Sequence, residues 1–181
     1  MIDFDKECNS DKLKFLDHFP RDGDITLQIL KGHLLLEETL REILVLQLPH
    51  AHAISGEKGA SFTCHQVICL CEALTPVSDA MPWIWAASKK LNNLRNDLAH
   101  QLNPPSLNAK AEALINYIKT EDPEIGNVAK EINASEGNEL AISIVSMCSC
   151  LSSLKAVITH MGNAAHNNTL NQTGAESAPT D

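Results

Sequence analysis

The chain has 181 residues, of which 44% are hydrophobic and only 4% aromatic, and its formal net charge is −9. That length suits one domain with a proper core, and a chain rich in Leu, Ala and Ile but poor in aromatics suits packed helices better than a sandwich or barrel. The acidic balance excludes a broad basic coat for nucleic acid, because phosphate contacts need cations; RNA chemistry would require a local cationic site.

No apolar run of about 18 residues is read along the chain. The opening Met1-Ile2-Asp3-Phe4-Asp5-Lys6 lacks the basic and apolar regions of a signal peptide. A cytoplasmic protein with no membrane contact is expected, with its six cysteines reduced. Cys69 and Cys71, like Cys148 and Cys150, are spaced i,i+2 in helical segments. That spacing sets the two thiols of each pair about 200° apart, which is poor for chelating one zinc. They read as small buried apolar residues, and neither a metal nor a cofactor is expected.

In chain order, residues 1–23 form a polar segment with a short helix read at 11–18, ending before Pro20. The bundle is expected over 24–162. Asp24 is a good N-cap for a first long helix that Pro49 stops, in which Leu27, Leu30, Leu34, Ile43 and Leu44 fall at helical spacing. Glu37, Glu38, Arg41 and Glu42 supply its wet face. His33 and Glu37, one turn apart, read as a surface pair that would orient a nearby site at most. His50 and His52 fall in a loop.

Ser61 is the expected N-cap of a second, nearly all apolar helix over 62–74, and Pro82 opens a third that runs to about Leu102. Ser106 caps a fourth helix over 107–120. A last helix is read over 139–161, followed by a polar tail at 163–181 that is expected to be disordered. The fold class that follows is all-α, an up-and-down bundle of four to five long helices.

The third helix carries the chemistry. Ile84, Ala87, Leu91, Leu94 and Leu98 step by three and four, forming a core-facing stripe. The opposite face collects Lys89, Asn92, Asn93, Asn96 and His100, with Arg95 on the flank. Cleaving a phosphodiester without metal needs a proton carrier, a cation on the phosphoryl oxygens and a polar group that holds register. Histidine titrates near neutral pH, so His100 suits proton transfer. Arginine offers a permanent forked charge, so Arg95 suits the phosphate, and Asn96 supports both. Lys89, Asn92 and Asn93 are weaker phosphate-binding candidates. Of Trp83 and Trp85, one reads as core, and the other as packing in a dimer interface in preference to stacking under an RNA base.

Residues five apart on an ideal helix point about 140° apart. Arg95 and His100 of one chain therefore need either a distorted helix end or a two-fold dimer to converge. The dimer is the favoured route.

The stretch Leu91-Asn92-Asn93-Leu94-Arg95-Asn96-Asp97-Leu98-Ala99-His100 resembles the signature of the HEPN superfamily: an Arg, a polar residue, and a His a few positions on, near the end of a late bundle helix. The leucine-rich 30–38 segment also resembles the first helix of small bacterial HEPN proteins, so the likeness covers roughly residues 24–102. The resemblance implies a homodimeric HEPN-like bundle and a metal-independent endoribonuclease, with Arg95 and His100 of both chains forming the site. It also implies a role in toxin–antitoxin pairs, phage defence or RNA processing. RNA is the expected substrate, an antitoxin or regulatory protein an expected partner, and DNA is not expected. The alternative is a catalytically silent module that binds a protein or nucleotide. Members paired with a nucleotidyltransferase antitoxin often carry a tyrosine two residues after the His; here Leu102 stands there, and that pairing is not implied.

Overall fold

The computed structural model describes residues 24–54, 61–101, 104–123 and 139–175, with side chains as far as Asn163. Within them five α-helices form a bundle and no strand occurs. They are α1 (Ile25–Leu46), α2 (Cys64–Leu74), α3 (Pro82–His100), α4 (Leu107–Glu121) and α5 (Glu139–Ala175), with 3₁₀ turns at Ala51–Ile54 and Ser78–Ala80. The all-α class read from composition is the observed one. The short helix expected at 11–18 lies outside the described residues, and the third helix ends at His100, short of the expected Leu102.

Local chemistry explains most of the boundaries. Asp24 caps α1 by accepting from the Thr26 amide at 2.8 Å. Pro82 opens α3, where a missing N–H costs nothing. The second helix starts later than expected, because Thr63 and not Ser61 is its cap. Thr63 Oγ1 accepts from the Gln66 amide at 3.3 Å, while Gln66 Oε1 accepts from the Thr63 amide at 2.9 Å, a reciprocal capping box. Ser106 precedes α4 without a side-chain capping bond.

α1 is the centre of the bundle and packs on α2, α3 and α5, while α4 closes the other side against α3 and α5. Its buried stripe is Ile29, Leu36, Leu40, Ile43 and Leu44, together with the polar Gln28 and His33. This corrects the expected phase: Leu27, Leu30 and Leu34 are exposed, Leu34 to 65%. Leucines occupy nearly every face of this segment, so spacing alone does not choose which side the neighbours cover. Both tryptophans, Trp83 and Trp85, are core, so neither is left for an interface or a base.

The last helix also departs from expectation. The helix continues past Met161 to Ala175; no proline interrupts residues 163–175, and propagation from a packed helix costs far less than nucleation. Residues 176–181 lie outside the description. The stretch Glu139–Asn163, at 25 residues and mean hydropathy 1.8, is also long and apolar enough to cross a membrane, contrary to the expectation that no such run exists. In the bundle 56% of that apolar window is buried, and Leu140, Ile144, Met147, Leu151 and Leu154 face the core.

Candidate functional site

α3 remains α-helical from Pro82 through His100. A distorted helix end therefore does not bring Arg95 and His100 together. Five residues of helix separate them by about 7.5 Å along the axis as well as by angle. Arg95, Asn93 and His100 are exposed and Asn96 is half-buried. Arg95 Nη1 donates to Asn96 Oδ1 at 3.4 Å, and among the described residues no carboxylate pairs with the guanidinium. His100 closes the helix, with Gln101 as its C-cap.

Two of the weaker phosphate candidates, Lys89 and Asn92, are committed elsewhere. Lys89 Nζ meets Glu72 Oε2 of α2 at 2.5 Å, so its charge is already matched within the bundle. Lys90 lies over the Tyr117 ring, 5.1 Å from its centroid.

Asn92 is buried, not solvent-facing. Trp85, Ser88 and Asn92 form a second buried stripe on α3, and α1 reaches that side through His33. A single-stripe reading assigns amides to water; here one amide is an internal partner.

That partner is His33. His33 Nε2 lies 3.1 Å from Asn92 Oδ1, in a buried contact that ties α1 to α3. An amide oxygen only accepts, so Nε2 carries the hydrogen and Nδ1 keeps its lone pair. Nδ1 lies 3.8 Å from Glu37 Oε2. The expected surface pair is thus wrong in one half: Glu37 is half-buried, but His33 is only 5% exposed.

The second oxygen of Glu37, Oε1, accepts from Arg41 Nη2 at 2.5 Å and Nε at 3.2 Å. Arg41 Nη2 also donates to the Phe62 carbonyl at 3.1 Å, clamping the segment that leads into α2. Cys64, the first residue of α2, is thereby held beside the pair. One ligand atom from each of His33, Glu37 and Cys64 lies within 4.8 Å of the other two.

The electrostatics follow from burial. Desolvation holds the His33 imidazole below its usual pKa, against the raising influence of Asn92 and Glu37, and the Arg95 charge lowers it further. Burial pushes the Cys64 thiol up to about 11; Glu37 adds to this, and Arg41 and Arg95 oppose it. Arg95 is therefore near enough to act on both groups. A buried histidine, a thiol and a clamped carboxylate thus meet between α1 and α2, with the histidine tied to α3 through Asn92.

His33, Glu37, Arg41 and Cys64 are in place here as a group, where spacing along the sequence joins the first three by i,i+4 steps and leaves out Cys64. The i,i+4 step of His33 and Glu37 is visible in the chain, but nothing local signals that Cys64 comes to meet them. A separate cleft of about 230 Å³, lined by Ile25, Gln28, Asn108, Glu112 and Glu139 among others, includes none of these residues.

Set against protein-family models, curated proteins and solved structures, the chain matches none of them.

Proposed function

We propose that the chain is a HEPN-type, metal-independent endoribonuclease that acts as a homodimer, with RNA as substrate and a cytoplasmic location. The observation that supports this most is the state of Arg95. Its guanidinium is exposed, has only an amide for a side-chain partner among the described residues, and lies five residues before the exposed His100 on the same helix. An unmatched forked cation is what a phosphodiester requires.

In this reading the 2′-oxygen attacks phosphorus and the 5′-oxygen leaves. One His100 takes the 2′-hydroxyl proton, and the His100 of the second chain protonates the departing oxygen. Arg95 neutralises charge on the non-bridging oxygens, and Asn96 steadies Arg95. The straight run of α3 makes the dimer a requirement of the reading, since one chain does not converge the two residues. Toxin, phage-defence or RNA-processing roles, and an antitoxin or regulatory partner, belong to the same proposal.

The test is the chemistry of the cut ends. RNA incubated with the protein yields 2′,3′-cyclic phosphate and 5′-hydroxyl termini, and a single 2′-deoxy nucleotide at the cleaved position blocks the cut. Cleavage that proceeds through a 2′-deoxy position contradicts the proposal.

A second reading, a silent HEPN-like module that binds a protein or nucleotide partner, is favoured by the internal use of Asn92 and Lys89. A folded dimer that binds RNA or a nucleotide without cutting would select it.

A further inference from the structure

We propose that His33, Glu37 and Cys64 form a binding site for one divalent transition-metal ion of the zinc type. The site is independent of the nuclease reading and uses none of its catalytic residues.

The donor set is the first argument. An imidazole nitrogen, a carboxylate oxygen and a thiolate sulfur are the three ligand types zinc takes from proteins, and a soft sulfur beside nitrogen disfavours magnesium or calcium. These three come from two helices that the core holds in register: His33 and Glu37 from adjacent turns of α1, Cys64 from the first turn of α2.

Distance is the second. Ligands about 2.0–2.3 Å from a tetrahedral zinc lie roughly 3.3–3.8 Å from one another. His33 Nδ1 and Glu37 Oε2 are 3.8 Å apart, and the whole trio falls within 4.8 Å. Shifts of a few tenths of an ångström to about an ångström in flexible side chains close the set.

The outer shell is the third and most specific argument. Ligating histidines typically donate their other N–H to a carbonyl or carboxylate, which fixes the tautomer and ring orientation. His33 Nε2 already does so, to Asn92 Oδ1, leaving Nδ1 turned toward Glu37. Ligating carboxylates are likewise held by hydrogen bonds, and Arg41 holds Glu37 by the oxygen that faces away from His33. Two of the three donors thus have their supporting partners in place. A buried histidine kept neutral by its surroundings is also ready to ligate without losing a proton.

Cys64 supplies the third bond as a thiolate, so binding releases one proton from its thiol to solvent. Three protein donors leave a fourth position for water or another ligand.

The experiment uses the full chain, stripped with EDTA and titrated with cobalt(II) chloride. One equivalent binds, with a thiolate-to-cobalt charge-transfer band in the near ultraviolet. The exposed Cys69, 3.7 Å from His65, is the competing surface site. Cys64→Ser abolishes the band and Cys69→Ser keeps it. Glu37→Gln, and Arg41→Gln from the outer shell, keep their helicity by circular dichroism and bind cobalt more weakly, Arg41→Gln by about 10–100-fold. Absence of saturable binding overturns the proposal. So does a band lost in Cys69→Ser but kept in Cys64→Ser, or an affinity unchanged in Glu37→Gln.

Discussion

His33 and Asn92 are 59 residues apart in sequence and are joined at 3.1 Å inside the bundle, the imidazole donating to the amide oxygen. Replacing Asn92 by Leu removes the acceptor and leaves a buried N–H unsatisfied. The expected loss is about 1–3 kcal/mol in urea denaturation with EDTA present. The double change His33→Leu, Asn92→Leu is expected to cost less than the sum of the singles, because no orphaned group remains. Strict additivity would mean that the two side chains do not share a bond.

The phase of α1 is testable with two leucines two residues apart. Leu36 is fully buried and Leu34 is 65% exposed. Leu36→Ala is expected to cost about 2–5 kcal/mol through lost burial and a residual cavity. Leu34→Ala is expected to change stability by no more than about 0.5 kcal/mol. Equal losses in denaturant melts would place the core on the other face.

These cases show what the chain discloses and what it withholds. Asp24 and Pro82 mark helix starts because capping and proline chemistry are local, and both act where expected. Thr63 was equally legible, as Thr-x-x-Gln, yet Ser61 is the more obvious candidate when Phe62 is counted into the helix. The phase of α1 and the burial of Asn92 depend on which neighbours close over a face, and that is decided by packing between distant segments. Arg95, Asn96 and His100 stand out as a motif because they lie within two turns of one helix. Cys64 joins His33 and Glu37 only through the α1–α2 contact and the Arg41 clamp.

Stability is expected to fall at both ends of the pH scale, for separate reasons. For the EDTA-treated protein the acid limb comes from His33, whose native pKa lies below the model-compound value of 6.5. The unfolded chain takes up this proton first, so the contribution is complete above about 6.5 and is lost as pH falls through the lower native value. The groups facing the ring act in both senses: Glu37 and Asn92 favour the imidazolium, and burial and Arg95 oppose it. The alkaline limb comes from the buried thiols Cys64, Cys71 and Cys148, all raised by burial, of which Cys71 is pushed from 9.0 up to about 12. Its contribution is complete below about 9 and is lost as pH rises toward 12, because the unfolded thiol ionises first. Melting temperatures across pH 5–11 check both limbs. Cys71→Ala should lessen the alkaline slope by its share, and an unchanged slope there would contradict the assignment.

Thiol chemistry should follow the same burial. Cys69 is exposed, whereas Cys64, Cys71 and Cys148 are buried, and the Cys71 Sγ–H donates to the Leu40 carbonyl at 3.2 Å. Among the described thiols, iodoacetamide at neutral pH is expected to label Cys69 first and to reach Cys71 and Cys148 only on unfolding. Mass spectra of timed digests read the order. Labelling of Cys71 as fast as Cys69 would contradict the packing of α2 on α1.

The most direct test of the central claim is single-turnover cleavage of a labelled RNA in EDTA by the wild-type chain, Arg95→Ala and His100→Ala. The account expects cleavage by the wild type in EDTA, and loss of at least about 100-fold in His100→Ala, with Arg95→Ala similarly impaired and both variants folded by circular dichroism. Cleavage that stops in EDTA, or that continues unchanged in His100→Ala, would contradict it.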